Sequence, residues 1–184
     1  GNILIATPEG VVPAYFVHEN GTYAEVWSDD TNTSVNCADF NSAEGLLALG
    51  TTSGVVVVSV DYMEELYRFT VNEAVDGVAW DRDGDLWATK RLSKNAIEYD
   101  GSASTLSGIS TVSSHTNGIT DVVTLSDGKI LTSGRDKQIR IHDENGSFIQ
   151  SLADSAAPLL KLGVSHDETF LFSLTDNCRL DIHN

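Results

Sequence analysis

Short runs of alternating apolar and polar residues recur along the chain, separated by clusters of Gly, Asp, Asn and Ser. A period of two predicts β-strands, and the turn clusters between the runs predict hairpins. One kind of run ends in an apolar stretch, at 35–40, 75–80, 119–123 and 160–164. A turn follows each, at Glu44-Gly45, Asp83-Gly84, Asp127-Gly128 and Asp167-Glu168, where a tight hairpin calls for positive φ. A more uniformly apolar run comes next, at 46–49, 86–89, 130–133 and 170–174. A third run ends on an acid or amide: Val17-His18-Glu19, Ser59-Val60-Asp61, Glu98-Tyr99-Asp100, Ile141-His142-Asp143 and Ile182-His183-Asn184. A fourth strand is predicted over 66–69 and 148–152. Helix has one short candidate, at 62–67, and the preceding strand crowds it.

The acid or amide ends stand at 19, 61, 100, 143 and 184, at intervals of 42, 39, 43 and 41 residues. Four short strands repeating at that period predict an all-β fold, a β-propeller of four-stranded antiparallel blades. The repeats run approximately over 1–31, 32–71, 72–110, 111–153 and 154–184, in a single domain 1–184 with no linker tract. The first repeat supplies second, third and fourth strands, at 2–7, 11–17 and 23–27, and the last ends after its third. These two do not complement each other as the ends of a closed propeller do. The expectation is therefore a part of a larger propeller, completed by further residues or another chain, with an unusual five-bladed ring as the alternative. The chain begins Gly1-Asn2 rather than with Met, which fits a processed, truncated or preceded start.

Charge narrows the partners. Twenty-seven acids against 11 bases give a net charge of −16, a field that repels phosphate backbones and anionic lipid, so neither nucleic acid nor membrane is expected. No apolar run reaches the 18 or so residues of a membrane-spanning helix. Cys37 and Cys178 fall in different repeats, and two buried free thiols on strands are expected, in a reducing cytoplasmic compartment. The sequons at Asn20, Asn32 and Asn145 match what the Asn, Ser and Thr content yields by chance.

The fourth unit, with Ser114-His115 and then Ser126-Asp127-Gly128 through Ser133-Gly134-Arg135-Asp136 to Ile141-His142-Asp143, resembles a WD repeat. The resemblance implies a buried network that fastens the strands of the blade. His115, Ser133 and Asp136 stand at the family's His, Ser and Asp, and His142 stands where the family has Trp. The other units share the strand pattern and the terminal acid or amide only. The second unit, Cys37-Ala38-Asp39-Phe40 with 47–54, is similar to blades of the echinoderm microtubule-associated protein-like family, which implies a cytoskeletal or ciliary setting. The third, Asp76-Gly77-Val78-Ala79-Trp80 with Asp83-Gly84-Asp85-Leu86-Trp87, is similar to NHL and gluconolactonase-like blades.

Three groups invite a chemical reading and have a structural one beside it. His115, Ser133 and Asp136 are the residue types of a hydrolase triad, but no G-x-S-x-G elbow presents the nucleophile, so the structural network is expected. His18, His142 and His183 share one column of three repeats, yet a radial repeat holds them apart and no metal site is expected. Asp81-Arg82-Asp83-Gly84-Asp85 lacks the later ligands and terminal Glu of a calcium loop, so it reads as a tight turn.

One feature rises above the background. Lys90, Arg91 and Lys94 fall in the second hairpin of the third unit, and Arg135 and Lys137 in the same hairpin of the fourth. Five of the 11 bases are thus expected on adjacent blades at one face, where loops on a rigid scaffold carry binding residues. The reading is a non-catalytic protein-interaction scaffold with no cofactor, binding a protein partner with an acidic surface. The alternatives are a metal-dependent gluconolactonase-like hydrolase and a purely structural component of a large complex.

Overall fold

Leu46–Thr51 and Gly54–Ser59 show how the hairpins arise. Both segments are rich in β-branched and aliphatic residues, every residue in both is buried, and Thr52-Ser53 turns the chain between them. The computed structural model describes residues 2–4, 11–17, 23–30, 33–62, 64–71, 73–101 and 108–183. All the regular structure in them is β-strand.

Among the described residues, eighteen strands make five antiparallel sheets in simple meanders. The first sheet holds β1 (Asn2–Leu4), β2 (Val11–Val17) and β3 (Tyr23–Asp30). The second holds β4 (Val35–Asn41), β5 (Leu46–Thr51), β6 (Gly54–Ser59) and β7 (Glu64–Thr70). β8 (Val75–Trp80), β9 (Leu86–Lys90), β10 (Ala96–Tyr99) and β11 (Gly108–Val112) form the third. β12 (Ile119–Thr124), β13 (Ile130–Gly134), β14 (Gln138–His142) and β15 (Phe148–Asp154) form the fourth. The fifth holds β16 (Leu159–Val164), β17 (Leu171–Thr175) and β18 (Leu180–His183). The expected strand order holds, with three strands in the first and last sheets. The short helix considered at 62–67 gives way to β7.

Two compact units divide the chain, Gly1–Val75 and Asp76–Asn184. In the first, Leu47, Leu49, Val56 and Val58 pack one face of the second sheet, joined by Val35 and Val60. In the second, two layers lie between consecutive sheets. Trp87, Ala96 and Val112 of the third sheet meet Ile119, Val122 and Ile130 of the fourth. Leu131 and Ile139 of the fourth meet Leu159 and Leu171 of the fifth.

Register explains why the fourth sheet feeds both layers. Val122, Thr132 and Arg140 are paired across it, as are Val123, Leu131 and Ile141 one step along. Successive side chains of a strand point to opposite faces, so the first set looks toward the third sheet and the second toward the fifth. Buried Asp121 ties the second layer at its edge, accepting the Leu162 N–H at 2.9 Å and lying 3.5 Å from Lys161 Nζ. Burial pushes its carboxyl up, and Lys161 opposes the shift.

The turns adopt the backbone that their residues suggested. Gly45, Gly84 and Gly128 have φ of 67°, 88° and 87°, and Glu168 takes the same left-handed place at 56°. Two expectations about cysteine need correction. Cys37 lies half-buried on β4, but Cys178 is exposed in the β17–β18 turn with φ of 63°. The four-residue turn that donates Cys178 N–H to Thr175 O takes it off the strand. Neither Cys37 nor Cys178 is in a disulfide.

Candidate functional site: the loop face of the third and fourth blades

His115 sits in the segment joining β11 to β12 and is buried. Its Nδ1 lies 2.9 Å from Asp136 Oδ1 and its Nε2 lies 2.8 Å from Thr132 Oγ1. Asp136 Oδ2 accepts the Thr116 N–H at 2.9 Å, so one carboxylate holds this segment to the β13–β14 turn. Burial lowers the His115 pKa, with Asp136 opposing, which fits a neutral ring donating from Nδ1. For Asp136, burial works against the charged form, but the hydrogen bonds from His115 and Thr116 outweigh it and hold the carboxyl below its usual range.

Ser133 requires a correction. It faces away from His115, its Oγ 3.1 Å from Thr120 Oγ1, and Thr132 supplies the hydroxyl instead. Alternation along β13 is the reason: Thr132 pairs with Arg140 and Ser133 with Ile139, on opposite faces. His142 is fully buried in the Trp position, its Nε2 2.8 Å from Ser114 Oγ and its ring edge-on to Phe148. Arg140 completes the cluster, donating to Ser114 O and lying 3.4 Å from Asp136. These contacts join strands. They set no nucleophile toward solvent, and the histidine column is spent likewise, since His183 Nε2 lies 3.0 Å from Ser173 Oγ. His18 lies outside the described residues.

The network anchors the loops that carry the cations. The β9–β10 turn closes with Ser93 N–H on Lys90 O at 3.0 Å, and Ser93 O accepts the Ile119 N–H at 2.7 Å. Gly118 O in turn accepts the Arg135 N–H at 2.8 Å. This backbone chain sets the two basic hairpins side by side at one end of the sheets. Lys94, Arg135 and Lys137 are exposed there, and Lys137 Nζ donates to Ala156 O at 3.2 Å. Lys90 is half-buried at the end of β9. Arg91 is exposed but ion-paired with Asp76 at 2.7 Å. Sequence reasoning missed Lys161, whose Nζ donates to Asp76 O at 2.6 Å and so joins Arg91 around one residue. Its place 85 residues away along the chain hid it. Leu92, 69% exposed in the same turn, was missed as well.

At the opposite end of the third and fourth sheets lies an acidic cavity of about 330 Å³, lined by Asp81, Asp85, Trp87, Glu98, Ser110 and Glu144 among others. Ligand oxygens of Asp81, Asp85 and Glu98 lie within 4.8 Å of one another, a set that could hold a hard divalent cation. Much of that capacity is used internally. Asp81 Oδ1 accepts the N–H groups of Asp83 and Asp85, both at 2.9 Å, and Asp85 Oδ1 accepts Gly101 N–H at 3.0 Å. Asp81 thus builds the expected tight turn. Burial, and then hydrogen bonding to Asp81, push Glu98 up to about 7.

The family model for the WD domain, G-beta repeat, matches residues 107–143. Over those residues the fourth unit is similar to a WD repeat. Comparison with curated proteins finds no match. Among solved structures, a chain from the crystal structure of a mitotic checkpoint complex is similar over 100% of this chain with a TM-score of 0.73. At 18% identity that likeness shows the fold, which is that of a WD-repeat β-propeller. The present chain spans 62% of that neighbour's length. The WD match includes His115, Thr132, Asp136 and His142 together, which places the buried network in the one unit whose residues carry the repeat's signature.

Proposed function

We propose that the chain is a protein-interaction scaffold whose loop face, carrying Lys90, Arg91, Lys94, Arg135 and Lys137, receives an acidic segment of a partner protein. The observation that carries this reading is the gathering of these cations on two hydrogen-bonded hairpins of a chain with net charge −16. A patch of opposite sign focuses encounter with an acidic partner and rejects a basic one. WD-repeat propellers serve in general as interaction scaffolds, and the solved neighbour is part of a multiprotein complex. The His115 network supports a non-catalytic role, because both ring nitrogens of His115 and both carboxylate oxygens of Asp136 are taken up by hydrogen bonds within the blade. Lys94→Glu, Arg135→Glu and Lys137→Glu combined test the reading. The wild-type chain should be retained on immobilised poly-glutamate at low salt and the variant should flow through with unchanged thermal unfolding. Equal retention of both, or of neither, contradicts it. A cytoplasmic, cytoskeletal setting is the narrower form, tested by microtubule co-sedimentation of the same pair.

The fifth sheet supports a larger assembly. Leu180 and Ile182 are 62% and 61% exposed, whereas their repeat equivalents, Ile139 and Ile141, are covered by β16 and β17. A further blade, from the same polypeptide or another, would cover them in the same way. For the metal-dependent hydrolase reading, the acidic cavity stands beside the likeness of the third unit to gluconolactonase-like blades. Because Asp81 and Asp85 are engaged by backbone N–H groups, millimolar calcium should leave Tm unchanged, and a rise of several degrees would revive that reading.

A further inference from the structure

We propose that Leu92 is the apolar anchor of the loop face, and that the segment it receives carries an aliphatic or aromatic side chain flanked by carboxylates. This rests on the scaffold reading above and names the chemistry of its partner. Leu92 has φ of 64°, a left-handed conformation that a leucine rarely adopts, and its side chain is 69% exposed. A turn that needed only to be soluble would place Gly or Asn there without strain.

The surroundings hold that conformation in place. Ser93 O accepts the Ile119 N–H at 2.7 Å, and Ser93 N–H closes on Lys90 O. Gly118 lies directly behind, where a Cβ would stand 3.1 Å from Leu92 Cα. The backbone is therefore pinned to the fourth blade while the side chain projects into solvent. Observed strain of this kind, maintained by its surroundings, points toward function.

The rim is cationic. Arg91 adjoins Leu92, Lys94 stands two residues on, and Arg135 is bonded to the carbonyl of Gly118 behind it. Asp76 engages Arg91 and, through its carbonyl, Lys161, and Asp136 turns inward to His115. An apolar centre within a charged border is the anatomy of a small binding hot spot. The border is positive on a strongly acidic chain, so the complementary segment is acidic. One leucine offers too little apolar area to hold a membrane, and binding to anionic vesicles is an outcome that would overturn the assignment.

Panning a random 12-residue phage library on the full chain tests it. The enriched peptides should carry one Leu, Phe or Trp between acidic residues. A synthetic copy should bind Leu92→Gly at least tenfold more weakly, while the Tm of that variant is no lower than wild type because glycine accepts the φ. Leu92→Asn provides the second variant, with the same expectation. Peptides that bind wild type and Leu92→Gly equally, yet are lost on reversal of Lys94 and Arg135, would overturn the Leu92 assignment and leave the scaffold reading standing. Enriched peptides that are not acidic, or no enrichment over bare support, would overturn both. A marked fall in Tm for both variants would make Leu92 structural and also overturn the assignment.

Discussion

Adjacent hydroxyls on β13 have different partners: Thr132 meets His115, and Ser133 meets Thr120. Thr132→Val should leave buried Nε2 unpaired and cost about 1–3 kcal/mol, whereas Ser133→Ala should cost about 1 kcal/mol or less. Urea denaturation of the two variants measures the order, and a reversed order would return Ser133 to the network. Titration gives a second test at this scale. Glu98, raised to about 7 in the folded chain, binds its proton more tightly folded than unfolded. Its stabilising effect is therefore complete below about 4.5 and is lost as pH rises through about 7. His142, lowered to about 4 chiefly by burial, has the opposite sign: stability is present above about 6.5 and lost as pH falls toward 4. The two slopes partly cancel between those limits in the wild type. In Glu98→Gln the loss that Glu98 contributes is gone, so the fall in Tm between pH 6 and 8 should be smaller than in the wild type. A variant profile that falls as steeply as the wild type above pH 6 would remove Glu98 as its source.

Elements carry their own strain and their own record in the sequence. Cys178 occupies a left-handed turn position with its side chain exposed, so Cys178→Gly should stabilise the chain by up to about 1 kcal/mol. A loss of stability in thermal unfolding would show that the thiol makes a contact worth more than the strain. Glu168 shares the conformation but bonds Ser126 through both carboxylate oxygens, so the same change there removes a tie between the fourth and fifth sheets. The strands themselves were legible because the period and the turn glycines report local geometry, and so was the order of strands in each sheet. Thr132 was not, because the face a residue takes depends on register, and β12 slips against β13 between Ile119 and Asp121. Lys161 reaches its site from another sheet, 85 residues along the chain, which no local pattern records. Leu92 was hidden for another reason: an exposed leucine in a hairpin is unremarkable until its φ is known.

In the molecule as a whole, the two ends of the third and fourth sheets carry different sets of side chains. Basic hairpins and Leu92 crowd one end of the third and fourth blades, and Asp81, Asp85, Glu98 and Glu144 line the cavity at the other. With a net charge of −16, attraction of an acidic partner must be local, and it should weaken as salt shortens the Debye length from about 10 Å at 0.1 M. Repulsion elsewhere orients the encounter, so partner and face select each other before contact. Hydrogen exchange of the full chain, with and without a saturating poly-glutamate peptide at low salt, tests this most directly. Protection should be confined to the peptides covering 90–95, 116–119 and 135–137. Protection centred on 81–85 and 127–129, or no protection despite binding, would contradict it.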